Sequence, residues 1–454
     1  MKLATCIPVI LSLLAAPAAA QSKSKLKKEL KTMEKAAKKD PDQLFEAGKW
    51  GQENGLEKEA EKIFKRVLKF DKDHAGANQA LGNEEVDGAW MPAKQAAKLR
   101  AKALEAEYSA KGYKKIDDIW VEPEKVKDAR KGTFWHEGEK VTRDQKVAYQ
   151  NGKVRHPVTG QFIKKEDLSK AENGYFPLEG GKWGDKAEAD KFHSDLRTPW
   201  MVRTSYATLV TTLPIDKVEE IKRFADQGQE TVMPLFRGRE LPPSLRPVIV
   251  IAKTRAEYVE LGTSLGDGTD IVGAFLIRDD AEMRLPDQGV VRPAVCNFES
   301  KDWGPLLLRH AAAIAYVNAV AAEAGADMPL WFVHGCGTLT SRFENDELAG
   351  GFGKQHLAKG GVGPIKSWLS NYDLSPDLSQ KEVDYNLYQA GLMLAYGMRG
   401  GDQTTTDALM NVTNALSADG KGSASKALTG FEKLLDSKQE SIVEYLNKLI
   451  SKAR

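Results

Sequence analysis

The stretch from Leu306 to Tyr316, LLLRHAAAIAY, decides how this chain is read. One arginine and one histidine stand in an otherwise apolar, alanine-rich run, which predicts a helix packed into a core. Before it lies AVCNF (294–298), which reads as a strand, and after it comes MPLWFVHGCG (328–337), which carries a second histidine in what reads as a turn. Zinc chemistry on a helix needs two imidazoles one turn apart, a glutamate between them as proton acceptor, and a third ligand farther along. His310 holds the first of those positions, and His334 lies where a later ligand could stand.

The chain has 454 residues, 41% of them hydrophobic, enough for two or three domains with sizeable cores. Lysine and arginine number 66 against 64 acidic residues, a net charge of +2, so net charge implies neither nucleic acid nor an acidic membrane surface as a partner. The opening MKLATCIPVILSLLAAPAAA has one lysine, a short apolar run and small residues at its end, the layout of a secretory signal peptide spanning residues 1–20. The expected mature protein is soluble and exported, periplasmic or extracellular, with no later segment read as a transmembrane span. Cys6 would leave with the signal. Cys296 and Cys336 remain, and two readings stay open for them: a disulfide in an oxidising compartment, or two small buried hydrophobes that never meet. Cys336 makes a poor nucleophile, because the nearness of His334 in sequence does not place its ring against the sulfur.

Five regions follow the signal. Residues 21–40 are lysine-rich and read as a solvated helix or flexible leader. Residues 41–84 place Leu44, Ala47, Gly48, Ala60, Phe64, Val67 and Leu68 at helical spacing on two segments broken by ENGL, a helical hairpin with small residues at the crossing. In 85–198 a unit recurs, VDGAW, IDDIW, VTGQF and LEGGKW, each a turn and an aromatic (Trp90, Trp120, Phe162, Trp183) followed by a charged helical stretch. Between two of these units, Asn151-Gly152 reads as a further hairpin. Residues 199–352 alternate strands and helices: WMVRTSYATLVTTLP, RPVIVIAKT, DIVGAFLI and RPAVCNFES as strands, IDKVEEIKRFADQGQETV and RAEYVELGTSL as helices. That order predicts a mixed sheet with helices on one face. Residues 353–454 read as helical, with the glycine-rich GGFGKQHLAKGGVG (350–363) as a mobile loop and ADGKGSAS (418–425) as a second loop.

The order of these pieces resembles secreted planctomycete-type proteins that join a tetratricopeptide-like hairpin and tryptophan-bearing segments to a gluzincin-like, or peptidase-MA-like, domain. The likeness is strongest at LEKEAEKIFKRVLKFDKDHAGANQALGNEEVDGAWM and from Trp200 to Gln389. Gly48, Ala60 and Phe64 match the small, small and aromatic positions of a tetratricopeptide repeat, and Leu81-Gly82 resembles the start of a second copy that fades at once. Lys72 stands where the repeat usually has proline. The resemblance therefore implies a multidomain α+β protein: a helical hairpin, small hairpin and helix beads, a gluzincin-like α+β part and a helical C-terminal part.

Active members of that family carry His-Glu-x-x-His and then a turn supplying a glutamate ligand. The matching residues here are His310-Ala311-Ala312-Ala313-Ile314 and, in the turn, His334. Ile314 removes the second ligand and Ala311 removes the base, a term worth roughly 100-fold or more in rate. His334 keeps a side chain able to bind metal, so His310 and His334 are the relic metal positions, and zinc binding would be weak unless Glu299, Glu323, Glu344 or Cys336 completed the shell. No catalytic residue and no cofactor are expected. No phosphate loop or Gly-x-Ser-x-Gly elbow occurs. The functional expectation is an exported pseudopeptidase with a binding or scaffold role toward a protein or envelope partner; the alternative is a metal-dependent hydrolase built on His310 and His334.

Overall fold

The computed structural model describes residues 22–453, apart from 265–273, 277–282, 286–288, 358–360, 376 and 418–420. The signal-like residues 1–20 lie outside the described residues. The fold is mixed α+β, about 62% helical, with small sheets and a helical C-terminal part. The chain divides into two compact units, residues 1–114 and 115–454.

In the first unit the helices Pro41–Glu53 and Glu57–Phe70 form the hairpin expected at ENGL, where Gly55 takes a positive φ of 70°. Asp40 caps the first of them by accepting from the Gln43 amide, and Pro41 opens it. Gly48 is glycine because the Phe64 ring lies against it: a Cβ there would stand 2.5 Å from Phe64 Cε1. Gly48→Val should therefore cost about 1–3 kcal/mol of local stability, read as faster amide hydrogen exchange in both helices. After a six-residue helix, Ala75–Ala80, Gly82 turns at φ 72° into the strand Asn83–Val86, which is where the second repeat fades. The lysine-rich leader is more ordered than its composition suggests. It forms the helix Lys23–Ala37 and joins the hairpin's core through Leu30 and Ala37, with Leu30 seated on Gly51.

The aromatic-bearing units are hairpins, as expected, and two turn tightly on two residues of positive φ: Asp87-Gly88 and Asp117-Asp118. Trp90, Trp120, Phe162 and Trp183 are each half-buried. Phe162 meets Tyr149 edge-on at 4.8 Å and carries the Arg155 guanidinium 4.1 Å above its ring. One reading changes here. Asn151-Gly152 is not a hairpin turn but the C-terminal cap of the helix Arg143–Gln150, which a Thr142–Gln145 capping box starts. The capping signal outweighed the alternation of residue types. The hairpin in this stretch is instead Phe134–His136 with Glu139–Val141, which the sequence reading missed.

The large sheet contains β1 (Trp200–Arg203), β2 (Thr208–Thr211), β3 (Val248–Ala252), β4 (Ala274–Leu276) and β5 (Ala294–Asn297), in the spatial order β1-β2-β3-β5-β4. WMVRTSYATLVTTLP is thus two strands. Thr204 breaks it, its Oγ1 accepting from the Tyr206 and Ala207 amides. β2, β3 and β5 run parallel, and the edge strands β1 and β4 run antiparallel to their neighbours. Helices cover both faces, not one: the helix Arg255–Ser264 packs Tyr258 and Leu261 beneath Val248, Val250 and Val295, while the main helical mass covers Leu209, Ile249, Ile251 and Cys296. Burial on both sides explains why β3 reads as the unbroken apolar run VIVIA.

The helix Trp303–Ala324, hereafter the His310 helix, lies against that second face and ends on Gly325 at φ 61°. Contrary to the sequence expectation, it is long and apolar enough by length and composition to cross a bilayer, but 67% of its most apolar stretch is buried inside the fold. Against it pack the Gly228 helix (Val218–Val232) and the His334 helix (Leu330–Arg342), which in turn packs on the Asp384 helix (Gln380–Ala395). Small residues set these spacings. A Cβ on Gly228 would stand 2.4 Å from Arg309 O, and one on Gly335 would stand 2.9 Å from Ala390 O.

The two glycine-rich readings change for the same reason. PLWFVHGCG is not a turn: Pro329 opens a helix through Arg342, and its glycines are contact points between helices. The first half of GGFGKQHLAKGGVG is likewise helical, within Asp346–His356, where a Cβ on Gly350 would come 2.1 Å from Leu449 O. Residues 358–360 of that stretch lie outside the described residues. ADGKGSAS also shortens as a loop, since the helix Lys421–Ser437 begins inside it.

Candidate functional site

The His310 and His334 helices bring their histidines together. His310 Nε2 and His334 Nδ1 lie 3.0 Å apart, so one ring N–H donates to the lone pair of the other. Both side chains are buried. Burial, with the nearby His334 and the positive charge of Arg342, holds His310 well below the ordinary histidine range, and burial alone pushes His334 down to about 4. Near neutral pH the pair is therefore uncharged, and the shared proton satisfies one nitrogen of each ring. Gly337 completes the arrangement. The His310 ring rests on it, and a Cβ there would fall 2.6 Å from Nε2.

The other motif positions are apolar filling. Ala311 and Ile314 are fully buried in the main core. The four residues named as an additional ligand are engaged with other partners or enclosed in the core. Glu323 pairs with Arg239 at 2.7 Å, Glu344 with Arg309 at 2.9 Å, and Glu299 Oε2 accepts the Arg255 amide at 3.0 Å. Cys336 and Cys296 are free, buried thiols in the main core; no bond joins them, and burial pushes both thiols up. Among the described residues no cluster of three His, Cys, Asp or Glu side chains could hold a metal. Two imidazoles bonded to each other, with isoleucine and alanine at the remaining motif positions, do not fit a zinc ion with its usual three or four protein ligands.

Beside the pair opens a cavity of about 520 Å³. It lies outside the carboxyl end of β5, where Asn297 and Glu299 contribute to its wall, and it runs between the His310, His334 and Asp384 helices. An open crevice at the carboxyl ends of parallel strands is the usual position for a ligand site in such sheets. His310, Trp303, Arg342 and Asp384 line it together with leucines. Sequence reasoning found His310 and Glu299 but missed Trp303, Arg342 and Asp384. The one signal for Arg342 was a cation at the end of a small, apolar helical run, GCGTLTSR.

The segment HSDLR at 193–197 has a structural role. His193 Nδ1 bonds Thr198 O at 2.7 Å, its ring stacks on Trp200 at 3.8 Å, and Asp195 pairs with Arg197. No protein-family model, curated protein or solved structure matches the chain significantly, so the bearing of this geometry on function rests on the residues themselves.

Proposed function

We propose that the chain is an exported, non-catalytic protein in which a gluzincin-like domain keeps a binding cleft and has lost its zinc chemistry. The observation that carries this reading is the direct His310–His334 bond beside a cavity, with Ala311 where a general base would stand. A zinc-bound water needs a group to take its proton, and alanine takes none. The gluzincin-like ancestry is supported by the succession of sheet, His310 helix, His334 helix and Asp384 helix, and the tetratricopeptide-like ancestry by Gly48 packed under Phe64. The layout of residues 1–20 supports export. A binding or scaffold role toward a protein or other envelope partner follows from a retained cleft without a reaction centre.

A second reading, a hydrolase with an altered metal site, draws support from the same convergence of two imidazoles on one point. Elemental analysis separates the two. The purified mature protein should carry no stoichiometric transition metal, keep its melting temperature in chelator and leave peptide substrates uncleaved. Bound zinc that disappears in a His310→Ala/His334→Ala double variant, together with chelator-sensitive cleavage, would establish the hydrolase instead.

A further inference from the structure

We propose that the cavity beside the histidine pair takes a small apolar carboxylate: Arg342 receives the carboxylate, and Leu306, Leu307, Val383 and Leu387 enclose the apolar part. This ligand class rests on the non-catalytic binding role proposed for the same cleft.

Arg342 is the last residue of the His334 helix, lines the cavity and is only 6% exposed. Its Nη1 is buried with no hydrogen-bond partner among the described residues, and its Nη2 meets Asp384 Oδ1 at a long 3.3 Å. The Trp303 and Phe352 rings lie 5.8 and 5.6 Å from the guanidinium carbon and hold the head group without accepting its N–H groups. A buried cationic donor left unmade is costly, so an oxygen ligand that reaches it is favoured. A guanidinium presents a planar fork that matches the two oxygens of a carboxylate.

Charge and shape narrow the class. Asp384 and Glu299 line the cavity alongside Arg342 and Arg255, so the wall has no surplus of positive charge for a phosphate dianion, whereas a monoanion adds one charge. His310, also on the wall, adds no charge near neutral pH. The leucine and valine side chains and the Trp303 ring make the rest of the wall apolar, and about 520 Å³ lies within the range of small-molecule sites. Two sources share this chemistry, a medium-chain fatty acid and the C-terminal residue of an apolar peptide.

Calorimetry on the full mature chain tests the assignment with two matched pairs: octanoate against octan-1-ol, and N-acetyl-leucine against N-acetyl-leucinamide. At least one carboxylate should bind about tenfold or more tighter than its uncharged counterpart, and the pair with the larger preference identifies the source. Arg342→Gln should abolish the preference while leaving binding of the uncharged compound unchanged. Leu387→Trp, which fills the apolar wall and leaves Arg342 in place, should weaken both members of the pair; circular-dichroism melts establish that each variant is folded. Equal binding of charged and uncharged compounds, a preference that survives in folded Arg342→Gln, or no carboxylate binding to the wild-type chain would overturn the assignment. None of those results touches the non-catalytic reading, which falls only to metal-dependent turnover.

Discussion

Acidification from about pH 7.5 to about pH 5 should strip several kcal/mol from the 115–454 unit through its buried histidines. His156, His193, His310, His334 and His356 are all held below the ordinary histidine value, in each case chiefly by burial. The charged groups facing these rings do not reverse the shift: Arg342 pushes His310 and His356 further down, and Asp384 and Asp190 oppose it at His356 and His193 without overcoming burial.

The sign follows from proton counting. Below about pH 6.5 the unfolded chain protonates these imidazoles while the folded chain does not, so the unfolded state binds more protons and stability falls as the pH falls. The contribution is whole above pH 6.5 and is lost as the pH drops toward each folded value, which for His334 is about 4. Each histidine adds up to about 1.4 kcal/mol per pH unit, so His334 alone costs roughly 2 kcal/mol at about pH 5. Urea unfolding at the two pH values, followed by near-ultraviolet circular dichroism, measures the loss. His334→Gln should be less stable than wild type at neutral pH, because His310 loses its ring partner, yet show a shallower pH dependence. A free energy of unfolding that stays level between the two pH values would refute burial of neutral imidazoles.

The second large effect is steric. Gly228→Val should cost the fold about 3 kcal/mol or more, the upper end of overpacking penalties. Its Cβ would lie 2.4 Å from Arg309 O and 2.8 Å from Arg309 Cα, both main-chain atoms of the His310 helix. Relief therefore requires the two helices to part, which loosens the packing behind Arg309, His310 and Ala312. Gly351→Ala and Gly430→Ala are the contrasting cases. Both sites are exposed, lie within helices and have nothing within 4 Å of a built Cβ. Helix propensity then favours alanine by up to about 1 kcal/mol. Thermal melts of the three variants should separate in opposite directions; a Gly228→Val melt within a degree or two of wild type would contradict the close approach.

Residue chemistry alone made several features legible. VIVIA read as a buried strand, LLLRHAAAIAY as a helix packed into a core, and Gly48 with Phe64 as a crossing of two helices. The absence of a glutamate at 311 and of a ligand at 314 is visible in the sequence and needs no coordinates. Local periodicity and side-chain type carry that information.

Tertiary structure decided what depends on contacts distant in sequence. The glycines at 335, 337, 350 and 353 read as turn and loop residues, because local propensity penalises glycine in a helix and cannot register the neighbouring helix that requires its missing Cβ. Asn151-Gly152 is equally apt for a hairpin turn or a helix cap, and the Thr142–Gln145 capping box selected the cap. The meeting of His310 with His334 across 24 residues, and the placement of Arg342 and Asp384 beside the same cavity, arise only when three helices pack against one another. Sequence thus determined which chemical groups are present and which are missing, while packing determined that the two histidines bond to each other and leave a buried arginine as the open polar group of the cleft.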